Sequence, residues 1–251
     1  MADALLGGML AAGASASDIA VVEISAGRRD ELAATRPGVT VLAEPGPAES
    51  IVVATKPGDV VTALRDAAAA APGLRRVLSI AAGVGTGALQ SAVPDGVAVV
   101  RAMPNTPALV GAGASAICPG PTATDADLDW ADELLGSVGT VVRVPERSMD
   151  AVTGLSGSGP AYVFLVAEAL IDAGVLAGLP RDVADRLTRQ TLLGAAQLLA
   201  DSDDGPEALR AAVTSPGGTT AAGLRELESH AVRAAVIDAV TAAAARSAEL
   251  G

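Results

Sequence analysis

The chain has 251 residues, of which 50% are hydrophobic, so it is long and apolar enough to form a globular protein with a substantial core. Its formal net charge of -12 argues against a nucleic-acid partner, because it offers no basic surface to displace the counterions of a phosphate backbone. A single cysteine excludes an intramolecular disulfide, and one cysteine with one histidine argues against a metal site, so we expect a metal-free protein of the reducing cytoplasm.

The first part of the chain alternates strands with helices. A helix at residues 2–12 comes first, with no strand before it. The strands that follow are predicted at residues 19–24, 39–42, 51–54, 76–81, 97–101, 114–118 and 140–144, and the intervening helices at 28–35, 59–71, 85–92 and 125–135. This alternation predicts a parallel sheet covered by helices on both faces.

After residue 146 the pattern is helical throughout, so we divide the chain into an α/β domain at residues 1–146 and an all-helical domain at 147–251. Helices are predicted at residues 159–173, 181–199, 207–212, 219–228 and 230–250. In the second of these, an apolar stripe needs a partner surface: Val183, Leu187, Thr191, Gly194 and Leu198. We therefore expect a homo-oligomer, a dimer or larger, formed through these helices.

The most apolar run lies at residues 161–177. It is interrupted by Glu168, Asp172 and Gly174, so we interpret it as a buried helix inside a bundle. The amino terminus lacks the basic segment of a signal peptide. We therefore expect no membrane association.

A turn followed by a helix is predicted at residues 213–228, V-T-S-P-G-G-T-T-A-A-G-L-R-E-L-E. The Pro-Gly-Gly run cannot continue a helix, so the helix should begin near Thr219. The free amides of its first turn favour a carboxylate or phosphate, and two glycines allow the ligand to approach the backbone closely. Taken alone, the segment is equally typical of an ordinary helix cap.

Three further segments lie at predicted strand or domain ends: A-T-K-P at residues 54–57, R-A-M-P-N-T-P at 101–107 and G-L-S-G-S-G-P-A-Y at 154–162. A doubly wound sheet binds its ligands at the carboxyl ends of its strands, which favours the first two as ligand contacts. The run G-V-G-T-G at residues 83–87 imitates a dinucleotide fingerprint, but its spacing is wrong and no acidic residue follows at the right distance.

Together with residues 213–228, these three segments resemble pyrroline-5-carboxylate reductases in identity, order and spacing, over essentially the whole chain. The resemblance implies a doubly wound, Rossmann-like parallel sheet followed by an all-α C-terminal dimerisation domain. It also implies reduction of Δ1-pyrroline-5-carboxylate to L-proline, the last step of proline biosynthesis, by hydride transfer from NADPH or NADH.

The resemblance also assigns residues to the site. By similarity, Thr220 is the catalytic contact to the ring nitrogen, and the substrate carboxylate is held by Ser215, Gly217, Gly218 and Thr219. The cofactor contacts implied are Ala54, Thr55, Lys56 and Pro57 at one strand end and Met103, Asn105 and Thr106 at another. Ser25 and Arg28 follow a strand and suit a 2'-phosphate, which favours NADPH, whereas Glu23 could accept a ribose hydroxyl as in NAD enzymes.

Two departures from the family pattern stand out. Family members open with a strand and a glycine-rich loop, but this chain begins at the helix that follows them. We therefore expect the strands beside the missing first strand to be unpaired, and the natural enzyme to be longer than this chain. A second departure is Glu228-Ser229-His230-Ala231, where the family usually has a glycine pair; we interpret His230 as a surface or interface residue.

Two other functions remain open. A β-hydroxyacid dehydrogenase of similar layout uses a lysine on a helix of its second domain, but the only lysine here, Lys56, is in the first domain. The other alternative is a non-catalytic oligomer that has lost its cofactor loop.

Overall fold

The computed structural model describes residues 1–250. Its helices are α1 (Ala2–Ala11), α2 (Ala26–Thr35), α3 (Val60–Ala70), α4 (Thr86–Gln90), α5 (Asp125–Gly136), α6 (Met149–Val152), α7 (Gly159–Leu176), α8 (Arg181–Asp201), α9 (Pro206–Ala212), α10 (Thr219–Ser229) and α11 (Val232–Leu250). Its strands are β1 (Ala20–Val22), β2 (Thr40–Leu42), β3 (Ser50–Val53), β4 (Arg76–Ser79), β5 (Ala98–Met103), β6 (Gly113–Pro119) and β7 (Gly139–Arg143). Every strand and helix predicted from the sequence is present, with ends shifted by a few residues. The short helix α6 and the π-helical turn after it were not predicted.

The chain forms two compact units. One comprises Met1–Ser158 together with the end of the chain from Ala242, and we call it the α/β unit. The other comprises Gly159–Thr241 and is called the helical unit. The predicted division at residue 146 marks the point after which no strand occurs in the described residues, and the α/β unit itself continues to Ser158.

The α/β unit contains a five-stranded sheet in the order β3-β4-β5-β6-β7 and a separate parallel pair, β1-β2. Strands β3, β4 and β5 are parallel, with Val53, Ser79 and Arg101 in register. The prediction of a wholly parallel sheet is wrong at β6, which runs antiparallel to β5. The connection of residues 104–112 explains the reversal, because it is too short for the crossover of a dozen or more residues that a parallel return requires.

The two sheets leave unpaired strand edges. Strand β1 pairs only with β2, and β3 pairs only with β4. Strands β1 and β3 therefore each present one edge of unpaired backbone groups.

Helices cover both faces of the larger sheet, as predicted. Val77 and Val99 pack with the side chains of α3 and α4, whereas the next residues along the same strands, Leu78 and Val100, pack with those of α1 and α5. The change of side from one residue to the next follows from the two-residue period of a strand. The core of the α/β unit therefore has two layers, one on each face.

The helical unit has almost no core of its own. Only two of its residues, Ala184 and Thr188, are buried. The prediction that the apolar run at residues 161–177 would be a buried helix is wrong for this chain, because α7 contains no buried residue. The run Glu146–Leu176 is long and apolar enough to cross a membrane by length and composition alone, and the core helix of a soluble protein passes the same test.

One residue between α10 and α11 has a strained backbone conformation. Ala231 has φ 54°, and within residues 1–250 it is the only residue other than glycine with a positive φ. This left-handed conformation suits the glycine that the family usually carries nearby. We expect Ala231→Gly to raise the free energy of unfolding by about 1 kcal/mol and Tm by about 3 °C.

Thermal unfolding at fixed protein concentration measures this effect. The matched control is Ala234→Gly inside α11, where the same change should destabilise the protein by about 1 kcal/mol because glycine weakens a helix interior. If both substitutions lowered Tm, the conformation at Ala231 would not be strained.

Candidate functional site

A tight turn precedes α10 in the helical unit. The helix begins at Thr219, as predicted, with Gly218 as its N-cap and no side-chain cap. Gly217 has φ 69°, a conformation that favours glycine. The turn is closed by the Gly218 N–H, which donates to the carbonyl oxygen of Ser215 at 3.0 Å. The sequence S-P-G-G thus forms the turn that the pattern indicated.

The first turn of α10 offers free hydrogen-bond donors. The first amide that donates into the helix is that of Ala222, to the carbonyl oxygen of Gly218 at 3.1 Å. The amides of Thr219, Thr220 and Ala221 therefore have no intrahelical acceptor. Both threonines are exposed. Free amides, two exposed hydroxyls and the positive end of the helix dipole together suit a small carboxylate ligand.

The structure brings two predicted cofactor segments to one edge of the larger sheet. Residues 54–57 follow β3 directly and are all exposed. Met103 ends β5, and Asn105 and Thr106 come just after it. Because β3, β4 and β5 are parallel neighbours, the two strand ends lie about 10 Å apart.

The predicted cofactor residues at this edge differ in accessibility. Thr106 and Lys56 are exposed, and Lys56 forms no ion pair within residues 1–250. Met103 is half-buried and Asn105 is buried. Lys56 and Thr106 are therefore free to meet a ligand, whereas the Asn105 side chain is enclosed by protein.

The predicted 2'-phosphate residues lie at the start of α2. Ser25 is its N-cap, and the Ser25 N–H donates to Oε1 of Glu23 at 2.9 Å. Arg28 pairs with Glu31 at 2.6 Å and with Asp3 at 3.7 Å. The hydrogen bond that Arg28 donates to Glu31, together with the charges of Glu31, Asp3 and Glu23, raises the pKa of Arg28. A phosphate at Arg28 would have to compete with these carboxylates.

The run G-V-G-T-G, rejected as a dinucleotide fingerprint, takes part in a partly buried cluster. Thr86 donates twice to the Glu146 carboxylate, from its N–H and from its hydroxyl, each at 2.6 Å. The buried Arg101 lies 3.5 Å from the same carboxylate. The loop thus binds a carboxylate of its own chain.

The same cluster sets two pKa values. Partial burial acts to raise the pKa of Glu146, but the two Thr86 hydrogen bonds and the Arg101 charge outweigh it and hold that pKa below its ordinary value of 4.5. Burial, reinforced by the Glu146 charge, raises the pKa of the Cys118 thiol to about 11. Cys118 is therefore an unreactive buried side chain.

Sequence reasoning missed the partners of this cluster. Glu146 and Thr86 are 60 residues apart, and no local pattern links them. It also missed the π-helical turn Thr153–Gly157, which lies inside the recognised segment at residues 154–162. A proline at position 160 is the one local signal for that irregularity, because it removes a helical donor.

The residues of this chain provide contacts for only part of a dinucleotide cofactor. Its sequence contains no G-x-G-x-x-G run, so the glycine-rich loop that holds a pyrophosphate has no counterpart among these residues. The exposed strand ends at residues 54–57 and Thr106 fit the remainder, because a doubly wound sheet binds its ligand at that edge. Within residues 1–250, no group of three or more metal-ligating side chains was found.

Comparison with known proteins gives consistent matches. A family model for pyrroline-5-carboxylate reductase dimerisation matches residues 146–250. The pyrroline-5-carboxylate reductase of Mycobacterium tuberculosis is 43% identical over 274 residues, covering 99% of this chain and 92% of that protein. The Synechocystis sp. protein of the same name is 53% identical over 175 residues, covering 70% of this chain and 65% of that protein.

A solved structure agrees with these matches over the whole chain. The crystal structure of Plasmodium falciparum pyrroline carboxylate reductase with NADP bound is 30% identical and has a TM-score of 0.85. The match covers 99% of this chain and 94% of that one. The α/β fold with a helical C-terminal part is therefore that of a solved reductase.

Proposed function

This chain belongs to the pyrroline-5-carboxylate reductase family, and we propose on that premise that it binds its substrate at the start of α10 and its nicotinamide cofactor at the strand ends of the α/β unit. It is an NAD(P)H-dependent oxidoreductase that reduces 1-pyrroline-5-carboxylate to L-proline. The observation that carries the substrate site is the uncapped first turn of α10, with its free amides and exposed hydroxyls.

The substrate carries a carboxylate beside a ring nitrogen, and the start of α10 offers a complementary set of groups. The turn at Ser215 and the backbone of Gly217, Gly218 and Thr219 hold the carboxylate. Thr220 is then placed one residue further into the helix, with its hydroxyl against the ring nitrogen. Two donors of different kinds, amides for the carboxylate and a hydroxyl for the nitrogen, fix the orientation of the ring.

The cofactor is held at the carboxyl ends of β3 and β5. Residues 54–57 contact the cofactor at one strand end, and Met103 and Thr106 lie beside its nicotinamide at the other. The unpaired cation of Lys56 attracts the negative charge of the cofactor phosphates. Ser25 and Arg28 favour NADPH over NADH, because an arginine suits a 2'-phosphate. When bound, the cofactor supplies the hydride for the C=N carbon.

The protein contributes binding and electrostatics to this reaction. A protonated imine already attracts hydride, so no strong acid or base is needed on the chain. The hydroxyl of Thr220 orients the ring nitrogen, and the helix start holds the carboxylate still. Cys118, the only thiol, is buried and has a raised pKa, so it takes no part in covalent chemistry.

The direct test is NADPH oxidation with Δ1-pyrroline-5-carboxylate, with L-proline measured as product. We would assay this chain and a version carrying an upstream strand and glycine-rich loop taken from a relative. Activity in the longer protein alone would support the need for the loop. Proline formation by neither protein would contradict the reductase proposal and favour the non-catalytic oligomer.

A homo-oligomer through the helical unit is the second part of the proposal. A unit with two buried residues exposes large apolar side chains on three helices: Val163, Phe164, Leu165, Val166, Leu187, Leu193, Leu198, Val236 and Ile237. Such a surface needs a cover, and the match to a dimerisation model supports a second copy of this chain. A cytoplasmic location without a membrane or nucleic-acid partner completes the proposal, and the formal net charge of -12 argues against nucleic acid.

We expect Val166→Asp to weaken the association between copies about tenfold. The new carboxylate would lose its hydration when α7 is covered by the second copy. Analytical ultracentrifugation over a concentration series measures the change. Val142→Asp is the matched control, since Val166 is 52% exposed on α7 and Val142 is 51% exposed on the edge strand β7. Equal effects of the two substitutions would show that α7 does not form the interface.

A further inference from the structure

Asn105 occupies an unusual place at the end of β5. It is 8% exposed and precedes the short 3-10 helix Thr106–Val110. Its Nδ2 donates to the carbonyl oxygen of Ser156 at 3.0 Å, and its Oδ1 accepts from the Ala114 N–H at 2.9 Å. One side chain therefore joins the strand-end loop, the start of β6 and the turn that carries Ser156.

The carbonyl of Ser156 lacks the donor that a regular helix would give it. In a regular helix its partner would be the N–H of residue 160, but that residue is a proline and has none. The surrounding backbone is a π-helical turn, Thr153–Gly157, in which the Ser158 N–H bonds to the Thr153 carbonyl at 2.8 Å. Asn105 supplies the missing donor from 51 residues away.

A second contact holds the same two segments together. A Cβ atom on Gly157 would lie 2.5 Å from Cε of Met103, so the backbone of the turn lies directly on the Met103 side chain. Met103 is the last residue of β5. The turn thus contacts the strand end at two neighbouring points, one polar through Asn105 and one apolar through Met103.

We propose that Asn105 is a positioning residue for hydride transfer and not a cofactor contact: it fixes the strand-end loop of Met103 and Thr106 against the Thr153–Gly157 turn. The proposal rests on the proposed function, in which this loop lies beside the nicotinamide. The donor and the acceptor of the buried carboxamide are both bonded to backbone groups, so they are not available to the cofactor. Asn105 therefore affects the reaction through the position of the loop. A small shift of the loop changes the hydride distance more than it changes cofactor affinity.

The test is Asn105→Asp, assayed at about pH 8 so that the new carboxylate is ionised. This change keeps the shape and the acceptor for the Ala114 N–H, but it removes the donor to Ser156. We expect kcat to fall about tenfold while the KM for NADPH stays near that of the wild type. A KM that rises in proportion to the fall in kcat would indicate direct cofactor contact and overturn the proposal.

A compensating substitution separates positioning from simple stability. Pro160→Ala restores an N–H that can bond to the Ser156 carbonyl within the helix, without rebuilding the link to the loop. The kcat of the double variant Asn105→Asp/Pro160→Ala is compared with that of Pro160→Ala alone. In the double variant we expect thermal stability to recover and kcat to remain low. Recovery of both would show that Asn105 only satisfies a carbonyl.

Hydrogen exchange gives a readout that does not depend on activity. The Ser158 amide should exchange faster in Asn105→Asp than in the wild type, because the turn loses its anchor. Unchanged exchange at Ser158 would overturn the proposal even in a chain with no reductase activity. A wild-type protein that lacks activity but shows the faster exchange in the variant would instead contradict the proposed function.

Discussion

Thr220→Ala is expected to lower kcat about 100-fold, because a preorganised hydrogen-bond donor at the reacting nitrogen contributes that much to a transition state. The KM for NADPH should change little, since Thr220 belongs to the helical unit and the predicted cofactor residues belong to the α/β unit. Steady-state kinetics with each substrate varied in turn measure both quantities. A kcat equal to that of the wild type would remove Thr220 from the mechanism.

Two neighbouring substitutions sharpen this result. Thr220→Ser keeps the hydroxyl and should recover most of the lost rate. Thr219→Ala removes a hydroxyl one residue earlier, about 100° around the helix axis. The Thr219 side chain therefore cannot contact the same ring nitrogen. It should cause a smaller loss, seen mainly in the KM for pyrroline-5-carboxylate. Equal losses at both positions would point to damage to the helix start instead of loss of one donor.

Local signals in the sequence were enough to place the start of α10. The run S-P-G-G before Thr219 predicted a turn followed by a helix, and the structure shows both at the predicted position. The alternation of strands with helices along the chain likewise predicted a sheet covered on both faces. These features depend on residues close in sequence, so their patterns are visible without the fold.

The features that sequence reasoning missed depend on contacts between distant residues. The reversal at β6 depends on the length of one connection, which the alternating pattern does not convey. The exposure of α7 was missed because an apolar helix has the same composition whether it is covered by its own chain or by a partner. The hydrogen bond of Asn105 to Ser156 was not predicted, because it joins residues 51 positions apart.

The cluster around Glu146 is another such long-range feature, and it should matter for stability. We expect Glu146→Gln to lower the free energy of unfolding by about 2 kcal/mol at neutral pH and Tm by about 6 °C. The change removes the charge that faces the buried Arg101 and leaves one of the two Thr86 donors without an acceptor. The loss is smaller than for a fully buried pair, because the Glu146 side chain is 40% exposed.

The pH dependence of this difference follows from the lowered pKa of Glu146. A carboxyl group whose folded pKa lies below its unfolded value of about 4.5 adds stability that is fully present above that value. The contribution is lost as the pH falls through the folded pKa, where protonated glutamate resembles glutamine. Denaturant unfolding at a series of pH values should therefore show the two proteins converging at acid pH.

Glu44→Gln is the matched control for this experiment. Glu44 is exposed and forms no ion pair within residues 1–250, so its removal should change stability little at any pH. A constant gap between wild type and Glu146→Gln down to acid pH would mean that glutamine disturbs the packing and that the charge is not responsible. If the stabilities of the two proteins converge at acid pH, the charge of the Glu146 carboxylate is what holds the loop at Thr86 to the segment that leads into α6.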